Sequence, residues 1–380
     1  MSQLLLRRAN VFAPTPLGEV DILIVNQHIV AIGPDLNVSL PDLQEIDLGG
    51  RVVIPGVIDQ HIHVTGGGGE GGPVTRCPEL TLSELIGAGI TTVVGVSGTD
   101  SVTRSIPNLL GKVRALNAEG VTAYMWTSNY QMPVCTVTDS VRMDLFAIPE
   151  VIGVKLALGD HRSSFPTQQD VMHLLSDIRV GGMIAGKPGF LHVHLGDLGN
   201  VAYDILDACC DGGMPIKHIR PTHCARHQTT WDRSVAFALR GGVIDVTAGH
   251  SIFDFASDAV LAAMDAGVDP TRITMSTDAH GSMPRFDENG VMVGLDVAPV
   301  NGVWEDFQRL VQACGFERAI GFVSTNLAKN LGLAGKGEIK AGADADLLVL
   351  NDACEITHMM AKGRMMMRDG QIVVKGTFEH

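Results

Sequence analysis

Eight short, mostly apolar runs recur through the middle of the chain, at 57–63, 91–96, 122–127, 153–157, 190–194, 219–222, 243–247 and 273–276. Such runs read as strands covered on both faces, the pattern of a parallel sheet. Between them, stretches such as 109–118 and 201–209 carry apolar residues at helical spacing, with glycine and proline near most breaks. Eight strands alternating with helices predict an α/β fold, a (β/α)8 TIM barrel, with an open doubly wound sheet as the competing arrangement. The two ends read differently. Strands are expected at 4–12, 20–32 and 46–53, and again at 345–350, near 358–367 and at 371–375 after a turn at Arg368-Asp369-Gly370. Chain termini commonly lie close together. The expected division is a small β-sandwich-like domain from 1–55 plus 342–380, flanking a barrel at 56–341.

With 45% apolar residues among 380, the chain can bury a large core, which excludes disorder as its main state. A net charge of −14 gives no bulk attraction to nucleic acid or anionic lipid, so neither is expected as a partner. The 44 glycines show no collagen-like period and fit tight strand-to-helix turns. Seven cysteines, irregularly spaced and without a CxxC pair, argue against a disulfide framework and for a reducing compartment. Only a run of three leucines leads into Arg7 and Arg8, too short for a secretory segment, and no run approaches the ~20 residues of a membrane span. A cytoplasmic protein is expected.

The polar residues at the strand ends carry the chemistry. Asp59-Gln60-His61-Ile62-His63 puts two histidines at i and i+2, on one face of a strand, where both can reach one ion. Lys155 ends the fourth strand, where an unpartnered ammonium is poorly solvated. It is either paired with a carboxylate or converted by carbon dioxide to an anionic carbamate. His194 ends the fifth strand, His223 the sixth, and Asp278 follows the eighth. In a barrel all six residues face the active-site mouth. The donor set suits zinc, with cobalt or manganese as other occupants. His192 shares a face with His194 but lies farther from the mouth, so it is read as an interior or supporting residue. His280, His218 and His227 are read as supporting or surface residues.

With these residues in barrel order, the chain resembles the amidohydrolase superfamily with a binuclear centre. The segments Gly66-Gly67-Gly68-Gly69-Glu70-Gly71-Gly72-Pro73, Gly98-Thr99-Asp100-Ser101, Gly153-Val154-Lys155, Asp160-His161-Arg162-Ser163, Pro221-Thr222-His223 and Lys375-Gly376-Thr377-Phe378-Glu379 are similar to those of its isoaspartyl dipeptidases, from end to end. The resemblance implies two zinc ions per subunit, one on His61 and His63 with Asp278, the other on His194 and His223. N6-carboxylated Lys155 would bridge them. It implies substrate contacts from Gly68, Glu70, Thr99, Tyr130, Arg162, Arg226 and Ser282, and a homo-oligomer, an octamer among the forms. His192, Cys224-Ala225 and Ala279-His280 depart from the residues associated with that family.

The implied reaction is hydrolysis of the isopeptide bond of β-aspartyl dipeptides by a metal-bridging hydroxide. Such a dipeptide carries two carboxylates and one ammonium. Arg162 and Arg226 offer planar forks for the former, and Glu70 a partner for the latter. Asp278 is expected to act as base and then acid, and Tyr130 to donate to the oxyanion. The alternatives are a cyclic-amide hydrolase of the dihydropyrimidinase or dihydroorotase type, whose substrates carry no ammonium, and a metal-free scaffold homologue.

Overall fold

A computed structural model describes residues 3–249, 251–286 and 292–379. The N-terminal part forms β1 (Gln3–Phe12), β2 (Pro16–Val25), β3 (His28–Gly33), β4 (Gln44–Asp47) and β5 (Val52–Pro55). All eight expected middle runs are strands: β6 (Val57–Ile62), β7 (Ile90–Gly95), β8 (Thr122–Thr127), β9 (Val151–Leu158), β10 (Phe190–Leu195), β11 (Ile219–Thr222), β12 (Ile244–Thr247) and β13 (Ile273–Ser276). A hairpin of β14 (Ser282–Phe286) and β15 (Met292–Val297) follows. The C-terminal part adds β16 (Leu347–Leu350), β17 (Ile356–Ala361), β18 (Arg364–Arg368) and β19 (Gln371–Ile372).

The two ends share one nine-stranded sheet, joined where β5 pairs antiparallel with β16 and parallel with β1. Alternation along these strands divides their side chains. Val53, Leu347 and Val349 fill the sheet's own core, while Ile54, Leu348 and Leu350 enter the core of the main body. Two expectations need correction here. The single strand expected at 20–32 is a hairpin, because Asn26 adopts φ 55° and allows a two-residue turn that pairs Val25 with His28. The strand expected at 46–53 is split at Gly49 and Gly50, both at positive φ.

β6 to β11 form a curled parallel sheet in chain order, and β12 and β13 form a separate parallel pair. Backbone hydrogen bonds span the two junctions, Cys224 N to Asp245 O at 3.1 Å at one, and Asp278 N to His61 O at 3.1 Å with His63 N to Ala279 O at 2.9 Å at the other. The buried Asp245 carboxylate also gathers Gln60, Thr222, Thr274 and Ser276, at 2.6 to 2.9 Å. Side chains thus connect strands where the backbone ladder stops. Among the described residues, no helix is long and apolar enough to cross a membrane.

Lys336 fastens the terminal sheet to the main body. Its buried ammonium lies 2.6 Å from Asp346, 2.8 Å from Asp344 and 2.6 Å from the Thr122 hydroxyl at the start of β8. Removing one partner of a buried pair strands the other charge. Lys336→Ala is therefore expected to lower unfolding stability by about 3–5 kcal/mol. Urea titration checks this, and a loss below about 1 kcal/mol would mean the cluster behaves as a solvated surface pair.

Candidate active site

Strand alternation builds the site. On β10, Leu191, Val193 and Leu195 join the large apolar core while His192 and His194 take the opposite face. On β9, Val154, Leu156 and Leu158 do the same and leave Lys155 on that inner face, in register with His192. The inner face is therefore polar by periodicity.

The candidate ligands converge there. The Nε2 atoms of His61 and His63 lie 3.3 and 3.2 Å from Asp278 Oδ1, and His223 Nε2 lies 4.0 Å from Asp278 Oδ2. Donor atoms of His61, His223 and Asp278 all fall within 4.8 Å of one another. Lys155 Nζ is 3.2 Å from His61 Nε2 and donates to Ser97 O at 2.8 Å. Among the described residues no carboxylate pairs with it. The His194 ring packs on His223 at 4.6 Å, with Nε2 3.0 Å from Asp160 Oδ2 and Nδ1 2.9 Å from the Tyr130 hydroxyl.

Backbone strain accompanies this convergence. His223 and Asp278 adopt φ of 64° and 54°, left-handed conformations that non-glycine residues hold only when their surroundings enforce them. Asp278 is pinned by its N–H to His61 O and by Gly281 N to its own carbonyl at 2.9 Å. Gly196 serves the other half of the site. A Cβ there would come 2.3 Å from the Asp160 Cα, so only glycine lets Asp160 approach His194.

Burial holds the imidazoles of His61, His63, His194 and His223 below their ordinary pKa, His194 at about 3, so they are neutral and each keeps one lone pair, that of His194 facing the Tyr130 hydroxyl. Burial also pushes the Lys155 ammonium down to about 7, against the pull of Asp278. For Asp160 burial acts the other way, but Arg162 and His194 outweigh it and hold its carboxyl well below the carboxylate range. Burial raises the Tyr130 phenol above its ordinary value and keeps it a donor. The set fits divalent cations. His223 Nε2 and Asp278 Oδ1 are buried and have no hydrogen-bond partner among the described residues, as expected of atoms meant for an ion.

Above this floor opens a cavity of about 470 Å3, lined by Gly68, Glu70, Thr99, Tyr130, Arg162, Arg226 and Ser282 with His63, His194 and Asp278. His61, Lys155 and His223 lie beneath its surface, fully buried. Glu70 is the meeting point: Ser282 Oγ donates to it at 2.9 Å, Arg162 at 3.2 Å and Thr99 at 3.4 Å. Arg226 Nη2 is 3.6 Å from Asp278 Oδ2. His280 turns away, contacting Pro78 O and Glu84, while His227 lies at the rim. Asp160 was missed as a site residue. Its signal was its position, directly after Gly159 at the end of β9 and two residues before Arg162. The buried Arg104, which clamps the carbonyls of Thr65, Gly66 and Cys77 behind the glycine-rich loop, left no such signal.

The description of the amidohydrolase family matches residues 192–366. The β-aspartyl dipeptidase of the thermophilic, keratin-degrading Fervidobacterium islandicum AW-1, crystallised with β-Asp-Leu, is 37% identical. The match covers 97% of this chain and 98% of that one, with a TM-score of 0.91. D-hydantoinase, at 17% identity and a TM-score of 0.70 over 99% of this chain and 97% of that one, shares the fold. Adenine deaminase 4 of Rhizobium meliloti (strain 1021) is 24% identical over 94% of this chain and 55% of its own length. The chain spans about half the length of the curated relatives it matches. Near-complete coverage at 37% identity, with a shared fold, decides the affiliation: the chain belongs to the amidohydrolase family, in the group that contains the β-aspartyl dipeptidases.

Proposed function

We propose that the protein is a zinc metallohydrolase that cleaves the isopeptide bond of β-aspartyl dipeptides. The observation that carries this is the charge pattern of one cavity: Arg162 and Arg226 with Glu70 above a floor of imidazoles and Asp278. Arg162, which also pairs with Asp160 at 2.8 Å, and Arg226 complement the two carboxylates of such a dipeptide, and Glu70 its single ammonium. The 37% identity to an enzyme crystallised with β-Asp-Leu supports the same substrate class. The eight parallel strands would form a full (β/α)8 barrel, with 1–55 and 342–380 as the small domain. Seven free cysteines support a cytoplasmic setting.

His61, His63 and Asp278 would hold one cation, His194 and His223 the other, and carboxylated Lys155 both. Bound divalent ions supply Lewis acidity, making water acidic enough to ionise near neutral pH and polarising a carbonyl. A neutral, buried amine such as Lys155 adds to carbon dioxide with loss of one proton, giving the anionic carbamate. Arg162 and Arg226 orient the substrate carboxylates, and Glu70 takes the ammonium. Asp278 accepts a proton from water at a carboxylate oxygen and returns it to the departing amine. The neutral Tyr130 phenol, whose hydroxyl sits beside His194 Nδ1, donates to the carbonyl oxygen as charge develops there.

Tyr130→Phe is accordingly expected to lower kcat by ~10²–10³-fold with a much smaller change in KM. Steady-state kinetics on β-Asp-Leu decide it: a rise in KM at constant kcat would make Tyr130 a binding residue. The substrate itself is tested by incubating zinc-loaded protein with β-Asp-Leu, α-Asp-Leu, hydantoin and adenine, and following product amine, ring opening and ammonia. Turnover of β-Asp-Leu alone is expected. Preferred turnover of hydantoin or adenine would overturn the reading, since neither offers the ammonium and carboxylates that Glu70 and the two arginines would pair with.

A further inference from the structure

We infer that His192 is a positioning residue, which fixes the ring of His61 and so the affinity of the cation that His61 helps hold; this rests on the binuclear reading above. His192 Nε2 lies 2.7 Å from His61 Nδ1, both rings being fully buried. A neutral imidazole carries one N–H. With His61 Nε2 given to a cation, as the binuclear reading requires, that proton sits on Nδ1 and is donated to His192 Nε2. His192 then carries its own proton on Nδ1, which has no partner among the described residues, so its accepting nitrogen is committed to His61.

The ring cannot turn away. It stacks on the Trp126 indole at 4.6 Å and 7°, and Trp126 Nε1 donates to Gln60 O at 2.8 Å, on the strand that carries His61. Gly153 makes room for the indole: a Cβ there would come 2.7 Å from its ring. The two halves of the centre are therefore backed unequally. His194 leans on the Asp160 carboxylate at 3.0 Å, an anionic acceptor that strengthens a ligand more than a neutral imidazole does. The cation on the His61 side is the one that depends on His192.

The test compares His192→Met with His192→Gln, two side chains of similar shape of which only glutamine offers an oxygen acceptor. Apo-protein is titrated with cobalt(II) against a chromophoric chelator, and the visible spectrum of the bound cobalt is recorded. His192→Met is expected to bind one equivalent ~10–100-fold more weakly, to leave the other unchanged and to alter the cobalt spectrum. His192→Gln should recover most of that affinity and the wild-type spectrum. Should His192→Met fail to fold, His192→Phe, which keeps the stacking on Trp126 without an acceptor, takes its place. Equal behaviour of acceptor and non-acceptor variants, or equal weakening of both equivalents, would overturn the inference. Failure of wild-type protein to bind cobalt would instead remove the binuclear reading on which it stands.

Discussion

Asp278→Asn is expected to reduce kcat on β-Asp-Leu by ~10²–10⁴-fold in protein that is still folded and still binds metal. Asparagine has the size of aspartate and tolerates the left-handed backbone that Asp278 adopts at φ 54°. It also keeps a carbonyl oxygen to face His61 and His63, which lie 3.3 and 3.2 Å from Asp278 Oδ1. What it loses is the capacity to take up a proton and hand it on. The substitution thus separates holding a cation from moving a proton. Kinetics must be read together with elemental analysis. Near-normal turnover with two metals bound would show that another group carries the proton, whereas lost activity with lost metal would make Asp278 chiefly a ligand.

The strands and the polar residues of the inner face were legible in the sequence for one reason. Both depend on local periodicity: a strand buried on both faces is an unbroken apolar run, and a polar residue within that run must lie on the inner face. Lys155 between Val154 and Leu156 is such a case. His194 between Val193 and Leu195 is another. What was not legible depends on contacts between distant segments. The hairpin at Asn26 hid because both of its strands carry alternating apolar residues, and only a positive φ separates them. The break between β11 and β12 hid because it reflects Asp245 gathering hydroxyls and an amide from three other strands.

The contacts that hold the candidate ligands were harder to read than the candidates themselves. His194 is held by Asp160 from another strand end, at a separation of 34 residues, and His61 by His192 across 131. No spacing rule links such pairs. The departure of His192 from the family's residues was visible, but its partner was not. Arg104 is similar: its guanidinium serves three loop carbonyls, and its charge alone reads as surface.

Unmodified, metal-free protein is expected to lose stability steeply as pH falls from 6 to 5. Burial depresses five imidazoles at the site in the folded state, those of His61, His63, His192, His194 and His223, and also those of His218, His227 and His358. Their folded pKa values lie below the unfolded value of about 6.5, so the stability they contribute is fully present above that pH and is lost below it. Three buried carboxyls, those of Asp59, Asp245 and Asp306, act in the opposite sense. Burial pushes Asp59 up to about 7 and Asp245 to about 6, above the unfolded ~3.9, so their contribution is largest at low pH and declines as pH rises. Lys155, at about 7, is protonated in both states across this interval and adds nothing. The depressed imidazoles outnumber the raised carboxyls, so between pH 6 and 5 the unfolded chain binds more protons than the folded one. Each proton of difference corresponds to about 1.4 kcal/mol per pH unit, so unfolding free energy should fall measurably between pH 6 and 5. Urea titrations of chelator-treated protein at pH 7, 6 and 5 measure the slope directly. A flat profile would mean that the imidazoles already take up protons in the folded protein, and with that the neutral, lone-pair-bearing floor proposed for the cations would not exist.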